Sequence, residues 1–290
     1  MLFRSAYAQM YVATGQDQWA RLAKQTFQTL LAPYQAHRHA RLVAPPNQPQ
    51  PLKHLSQPVA LLRALLDSQH LFAPTDWKDA AEPLLDELLT DFLDRRHNQL
   101  REFVGPGGAF SNTPHGRRLN TGLTVQAAAV VMETGQRLGH RKLVLQATDW
   151  CLRLCERTWP TSPPHRLAGP PPQGLPCYTD SKDQPISFAE ATHRHADTHL
   201  LALAALANGY RHTRHPAAPG WITRLYTYTF QHFPAPLPGY PWQVVLPPTD
   251  AFVATPATGC YGLIRGLAHT RHWLEQCQHP EPVTPRRVVV

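Results

Sequence analysis

The sequence is poor in several features that would decide its class at once. Its five cysteines, Cys151, Cys155, Cys177, Cys260 and Cys277, are odd in number and show no CxxC pairing. That argues against a disulfide framework or a structural zinc site and points to a reducing compartment. No apolar stretch reaches the roughly 18 residues needed to span a bilayer. The N-terminal MLFRSAYAQMYVATG has neither a basic leader nor an uninterrupted apolar core, so no secretion signal is expected. Formal charge is +8, yet lysine and arginine are scattered and no basic run interleaves with aromatics. Such a surface reads as solvated rather than as a nucleic-acid face. A cytoplasmic protein that binds neither nucleic acid nor membrane is the expectation.

Sustained two-residue alternation, the mark of a half-buried strand, is also scarce, whereas helical periodicity runs throughout. The pattern predicts helices over 1–14, 16–31, 56–70, 77–97, 120–138, 142–159, 197–210, 221–233 and 259–278. The Pro-rich segments APPNQPQP and PPPQG break the pattern, because proline lacks a donor and clashes with the preceding turn. Pro58 sits early in its helix, where it costs least. Ala/Leu-rich helices beginning near 1, 56, 120, 197 and 259 alternate with longer amphipathic ones. This is the order of a helical toroid, with apolar helices inside and amphipathic ones outside; a regular α-solenoid would have shorter repeats. A single helical domain over 1–278, followed by a flexible tail over 279–290, is expected.

Four stretches carry a resemblance: YVATGQDQWARLAKQTFQTLL, GRRLNTGLTVQAA, HADTHLLALAALANGY with the following YTFQHF, and TGCYGLIRGLAH. Together they resemble the N-acylglucosamine 2-epimerase family of sugar epimerases and isomerases. The resemblance implies an all-α (α/α)6 barrel, here with about nine of its twelve helices. It implies a monosaccharide or amino-sugar substrate and no cofactor. Apolar faces near 1–14 and 259–275, left uncovered in such a ring, imply a homodimer.

Inverting or moving a carbonyl neighbour needs a base to take a carbon-bound proton and an acid to return one, and imidazoles suit both roles near neutral pH. The family's two histidines fall at Leu123 and Gly262, and two of its glutamates at Gln126 and Leu201. None of these side chains can take up and release a proton near neutral pH. What the resemblance retains is Asn120, Gly122, His199 and Arg265, with Arg117 just upstream. His199 becomes the candidate acid or base, set against the plainer reading of a hydrogen-bonded core histidine. Arg117, Asn120 and Arg265 become candidates for holding substrate oxygens, and Trp242, with Tyr240 and Tyr178, for stacking on a sugar face. An active isomerase and a catalytically degenerate carbohydrate- or protein-binding chain both fit.

Three further signals are weaker. His193, His195 and His199 have a spacing that metal sites use, but the ligand set is partial and no metal is expected. Glu102, Asp180 and Asp183 offer no evident pair for glycoside hydrolysis. His115, in the loop before Asn120, reads chiefly as a solvated side chain.

Overall fold

A computed structural model describes residues 2–43, 52–159, 173–186, 188, 190–234, 242–247 and 260–278. The Pro-rich loop over 44–51, the tail over 279–290 and Tyr240 lie outside the described residues. The chain forms two compact units, one made of Met1–Trp150 with Pro176–Thr192 and the other of Cys151–Leu175 with His193–Val290.

The first unit holds α1 (Leu2–Thr14), α2 (Asp17–Val43), α3 (Ser56–Asp67), α4 (Pro74–Glu87), the one-turn α5 (Pro114–Arg117) and α6 (Thr121–Arg137). The long α7 (Arg141–Thr158) begins in this unit. The second unit holds α8 (Ala196–Thr213), α9 (Ala218–His232) and α10 (Cys260–Gln278). Nine of these helices among the described residues are twelve residues or longer, and they answer one for one to the nine read from periodicity. α1 packs on α2, α3 on α4, and α3 also lies against α1 and α6; α8 packs on both α9 and α10.

Burial follows the expected division. α6 buries Leu123, Val125, Ala127, Ala128, Val130, Val131 and Met132, and α8 buries a nearly unbroken run from Ala202 to Gly209. Small side chains on every side let neighbouring helices approach closely. A β-carbon added at Gly266 of α10 would lie 2.8 Å from Leu200 Cβ of α8. α4, by contrast, buries a face of Trp77, Ala81, Leu84 and Leu85. Each fully buried large apolar side chain contributes roughly 1.5–3 kcal/mol relative to exposure.

Several boundaries differ from expectation. α2 continues through Pro33 to Val43, where a stop near Leu31 was expected. α4 starts at Pro74, which occupies the first turn where its missing N–H costs nothing. It does not run on to His97: after Glu87 the chain makes a π-turn over Leu88–Phe92 and enters a hairpin, β2 (Leu93–Asp94) with β3 (Gln99–Leu100). Asp94 stops the helix by accepting from the Arg96 N–H and from the Arg101 guanidinium, while Asn98 takes the left-handed turn position, φ 47°.

The remaining strands are equally short. β1 (Lys53–His54) pairs antiparallel with β4 (Phe103–Val104), β5 (Arg118–Asn120) with β6 (Tyr178–Asp180), and β7 (Arg194–His195) with β8 (Val245–Leu246). Two of these ladders, β1–β4 and β5–β6, carry the polar cluster described next.

Candidate functional site

In the β1–β4 ladder His54 stands directly opposite Phe103, and their rings meet edge to face at 4.5 Å. Ser56 begins α3 two residues later; its backbone N–H donates to His54 Nδ1 at 3.2 Å and its hydroxyl lies against the same nitrogen. Because Nδ1 accepts, the ring proton sits on Nε2 and points to Glu102 Oε1 at 3.2 Å. Glu102, which precedes β4, is 3% exposed. Its carboxylate also receives Arg118 as a two-pronged ion pair, Nε to Oε2 at 2.8 Å and Nη2 to Oε1 at 2.9 Å. Burial pushes the Glu102 carboxyl up, but the hydrogen bonds from His54 and Arg118 outweigh it and hold the group below its ordinary value.

Arg118 is the hub. Its guanidinium lies 4.5 Å from the Tyr178 ring centre, 4.9 Å from Phe188 and 5.3 Å from Phe103. Cation–ring contacts of this kind contribute about 0.5–1 kcal/mol each at partly exposed sites. His115 adds a fourth ring, 5.2 Å from Phe188 and 6.2 Å from Phe103. Strand alternation explains the grouping: Arg118 and Asn120 share one face of β5 while Leu119 points into the core. Tyr178 is the cross-strand partner of Asn120. Burial raises the Tyr178 phenol and the Cys177 thiol beside it, so both stay protonated near neutral pH. The result is a half-open surface of aromatic rings around one imidazole–carboxylate–guanidinium chain, with His54 side-chain exposure of 30%.

The residues singled out from sequence divide between the units. Arg117 and Asn120 belong to the first and flank Arg118. Arg117 donates to Asp180 Oδ2 at 3.0 Å and to the Asn112 carbonyl at 3.0 Å, while Asn120 caps α6 by accepting the Leu123 N–H at 2.9 Å. Both therefore build the hairpin that presents Arg118. Leu123 is buried in the first turn of α6, and Gln126 is exposed.

His199, Trp242 and Arg265 belong to the second unit. His199 is fully buried. Its Nε2 accepts the Leu175 backbone N–H at 2.8 Å and its Nδ1 donates to the His195 carbonyl at 2.7 Å. Tyr228 stacks on the ring at 5.2 Å. Burial drives its pKa down to about 3, against a backbone hydrogen bond to His195 that favours the charged form. The geometry is that of the core histidine weighed against the catalyst: a neutral imidazole with both nitrogens committed to backbone. Trp242 bridges to Pro234 and meets Phe230 edge to face at 5.4 Å. Arg265 is half-buried on α10. Gly262, at the family's second histidine position, faces Asp197, whose Oδ2 would lie 3.2 Å from an added β-carbon. Among the described residues no three or more His, Cys, Asp or Glu side chains are placed to hold a metal ion.

No protein-family model and no curated protein sequence matches this chain. Solved structures do. Cellobiose 2-epimerase from Spirochaeta thermophila superposes with a TM-score of 0.70 at 14% identity, over 95% of this chain and 69% of that one. Cellobiose 2-epimerase from Bacillus thermoamylovorans gives 0.69 at 12%, over 95% and 70%, and a sugar epimerase from a ruminal bacterium gives 0.68 at 12%, over 97% and 70%. The chain has the fold of these sugar epimerases. It is therefore an all-α chain of the (α/α)-barrel type. No described helix is long and apolar enough to cross a membrane.

The epimerase-like fold was legible from the motifs, but His54 and Arg118 were not singled out, and Glu102 was weighed only as half of a carboxylate pair. The available signal was adjacency: Arg118 lies between two residues the motif did retain, Arg117 and Asn120.

Proposed function

We propose that this chain processes a monosaccharide or amino sugar at the β1–β4 and β5–β6 surface, by aldose–ketose isomerisation with His54 as the proton carrier. The observation that carries the reading is the contrast between two histidines. His199 is fully buried with both nitrogens committed to backbone, whereas His54 is half-buried, with the Glu102 carboxylate at Nε2 and, at Nδ1, a rotatable Ser56 hydroxyl beside the Ser56 backbone N–H. A substrate hydroxyl or carbon-bound proton takes the place of that hydroxyl at Nδ1. The ring faces of Phe103 and Tyr178 suit the apolar side of a pyranose, and Asn120 and Arg118 lie on the strand face beside them.

Chemistry favours isomerisation over epimerisation at this site. Moving a carbonyl between neighbouring carbons needs one carbon base: His54 takes the proton from C2 while water protonates the carbonyl oxygen to give the enediol, and the same imidazole then returns its proton to C1 on the same face as the C2 hydroxyl gives up its proton to water and becomes the new carbonyl. Inversion at C2 requires groups on both faces of the sugar. The structural likeness to sugar epimerases supports a sugar as ligand and leaves the reaction to experiment. The test is deuterium uptake from heavy water at C2 of mannose, glucose or N-acetylmannosamine. Exchange that His54→Ala abolishes supports the reading, and absence of exchange with every aldose rejects it.

A second reading rests on Leu123 and Gly262, where the family's proton-transfer pair is replaced: a chain that binds sugar without turnover. A sugar-induced thermal shift, lost in Tyr178→Ala but unaccompanied by exchange, would select it. A cytoplasmic location and a dimer built on the 1–14 and 259–275 faces belong with these proposals.

A further inference from the structure

At the start of α3 three side chains form a relay. Ser56 Oγ lies against His54 Nδ1, and His54 Nε2 faces the Glu102 carboxylate at 3.2 Å. A hydroxyl on an imidazole whose far nitrogen is held by a carboxylate is the arrangement that activates serine for acyl transfer, and geometry and roles identify it, whatever the chain order. Each member is in the state its role needs. Nδ1 accepts hydrogen bonds and is therefore the basic nitrogen. Glu102 is 3% exposed and anchored by Arg118, and its carboxyl is held below its ordinary value, so it stays ionised. Ser56 and His54 are only half-buried, which leaves the hydroxyl open to a substrate.

The backbone supplies a fourth part. α3 opens at Ser56, and the N–H groups of a first turn point out of the helix end. The Ser56 N–H is taken by His54 Nδ1, and Pro58 has none to give. Between them the Gln57 N–H, directly after the hydroxyl, has no backbone acceptor among the described residues. An amide beside a reacting serine is placed to stabilise the oxyanion of a tetrahedral intermediate. The Phe103 ring, 4.5 Å from the imidazole, gives one apolar wall.

We infer that Ser56, His54 and Glu102 form an acyl-transfer site that hydrolyses a carboxylic ester, with Ser56 as the nucleophile. Ser56 Oγ bonds to the ester carbonyl carbon as its proton passes to His54 Nδ1, and the Gln57 N–H donates to the oxyanion. The bond to the alcohol oxygen then breaks, and the alcohol leaves with the proton from Nδ1. Water next gives a proton to Nδ1 and attacks the acyl carbon; the bond to Ser56 breaks, Oγ regains that proton and the acid is released. Glu102 stays ionised throughout, holding the Nε2 proton and balancing the imidazolium charge. The site shares His54 with the sugar reading but does not depend on it, because neither step needs a sugar.

The test uses the full chain with p-nitrophenyl acetate and with an alkyl fluorophosphonate, which phosphonylates activated serines. Wild type hydrolyses the ester and takes one phosphonyl group, which peptide mass spectrometry maps to Ser56. Ser56→Ala and His54→Ala each lower the hydrolysis rate by about a hundredfold or more with unchanged helical circular dichroism. A wild-type chain that takes no label, or takes it on another residue, overturns the inference. So does hydrolysis that persists in Ser56→Ala, which would make the imidazole itself the nucleophile. Both readouts are taken without sugar, so failure of deuterium exchange at C2 leaves them unaffected.

Discussion

Glu102 accepts two hydrogen bonds from Arg118, at 2.8 and 2.9 Å, and a third from His54 at 3.2 Å, so a single buried carboxylate fixes both the cation and the imidazole of the site. Glu102→Gln leaves Arg118 without its counter-ion, and removing one partner of a buried pair costs about 3 kcal/mol. Chemical denaturation should record that loss. The acid limb supplies a second signature. The folded carboxyl titrates below its ordinary value of 4.5, so its stabilisation is present above that pH and is lost as pH falls through the folded value. Below pH 4.5 the variant should lose stability less steeply than the wild type.

His199 has the opposite character, a buried base kept neutral. Its folded pKa is about 3 against 6.5 for the free side chain. Between those values the unfolded chain takes up a proton that the native chain refuses, so stability falls as pH drops through that window, by about 1.4 kcal/mol per pH unit at most. Unfolding free energies of wild type and His199→Gln across pH 3–7 should show a shallower slope in the variant. Equal slopes would mean that His199 protonates within the fold.

Lys53 forms a second buried ion cluster, with Glu87 at 2.6 Å and Asp91 at 2.5 Å; Tyr34 donates to Glu87 as well. Lys53→Met removes the cation and leaves two carboxylates in a poorly solvated site. The expected cost is about 3 kcal/mol, measured by urea denaturation, and because Lys53 precedes His54 on β1, sugar affinity should fall too.

Two glycines should respond in opposite directions to alanine. Gly266→Ala drives a methyl toward Leu200 Cβ at 2.8 Å and should destabilise by about 1–3 kcal/mol. Gly220, in the first turn of α9, has nothing within 4 Å of an added β-carbon. Gly220→Ala should raise the melting temperature, in keeping with the roughly 0.5–1 kcal/mol by which alanine is favoured over glycine in a helix.

The helices were legible because burial imposes a period, and nine segments long enough to show it were found in order. What escaped was too short for any period. β1, β4 and β5 are two or three residues each, so no alternation can accumulate, and the end of α4 is set by Asp94 reaching across its own turn rather than by a glycine or proline. The site escaped for a related reason. His54 and Glu102 are 48 residues apart and come together through a ladder of two residue pairs. His199 drew attention through its motif, yet the same inner-helix position that makes it recognisable also buries it. Arg117 and Asn120, expected to hold substrate oxygens, make hydrogen bonds that also shape the hairpin around Arg118, a use that a motif leaves invisible.

Gly262 sets a limit on how a second proton-transfer group can be introduced. A β-carbon there would stand 3.2 Å from Asp197 Oδ2, so an imidazole grafted at this position would meet a carboxylate. Such a ring would favour its charged state and serve as a counter-ion instead of a base.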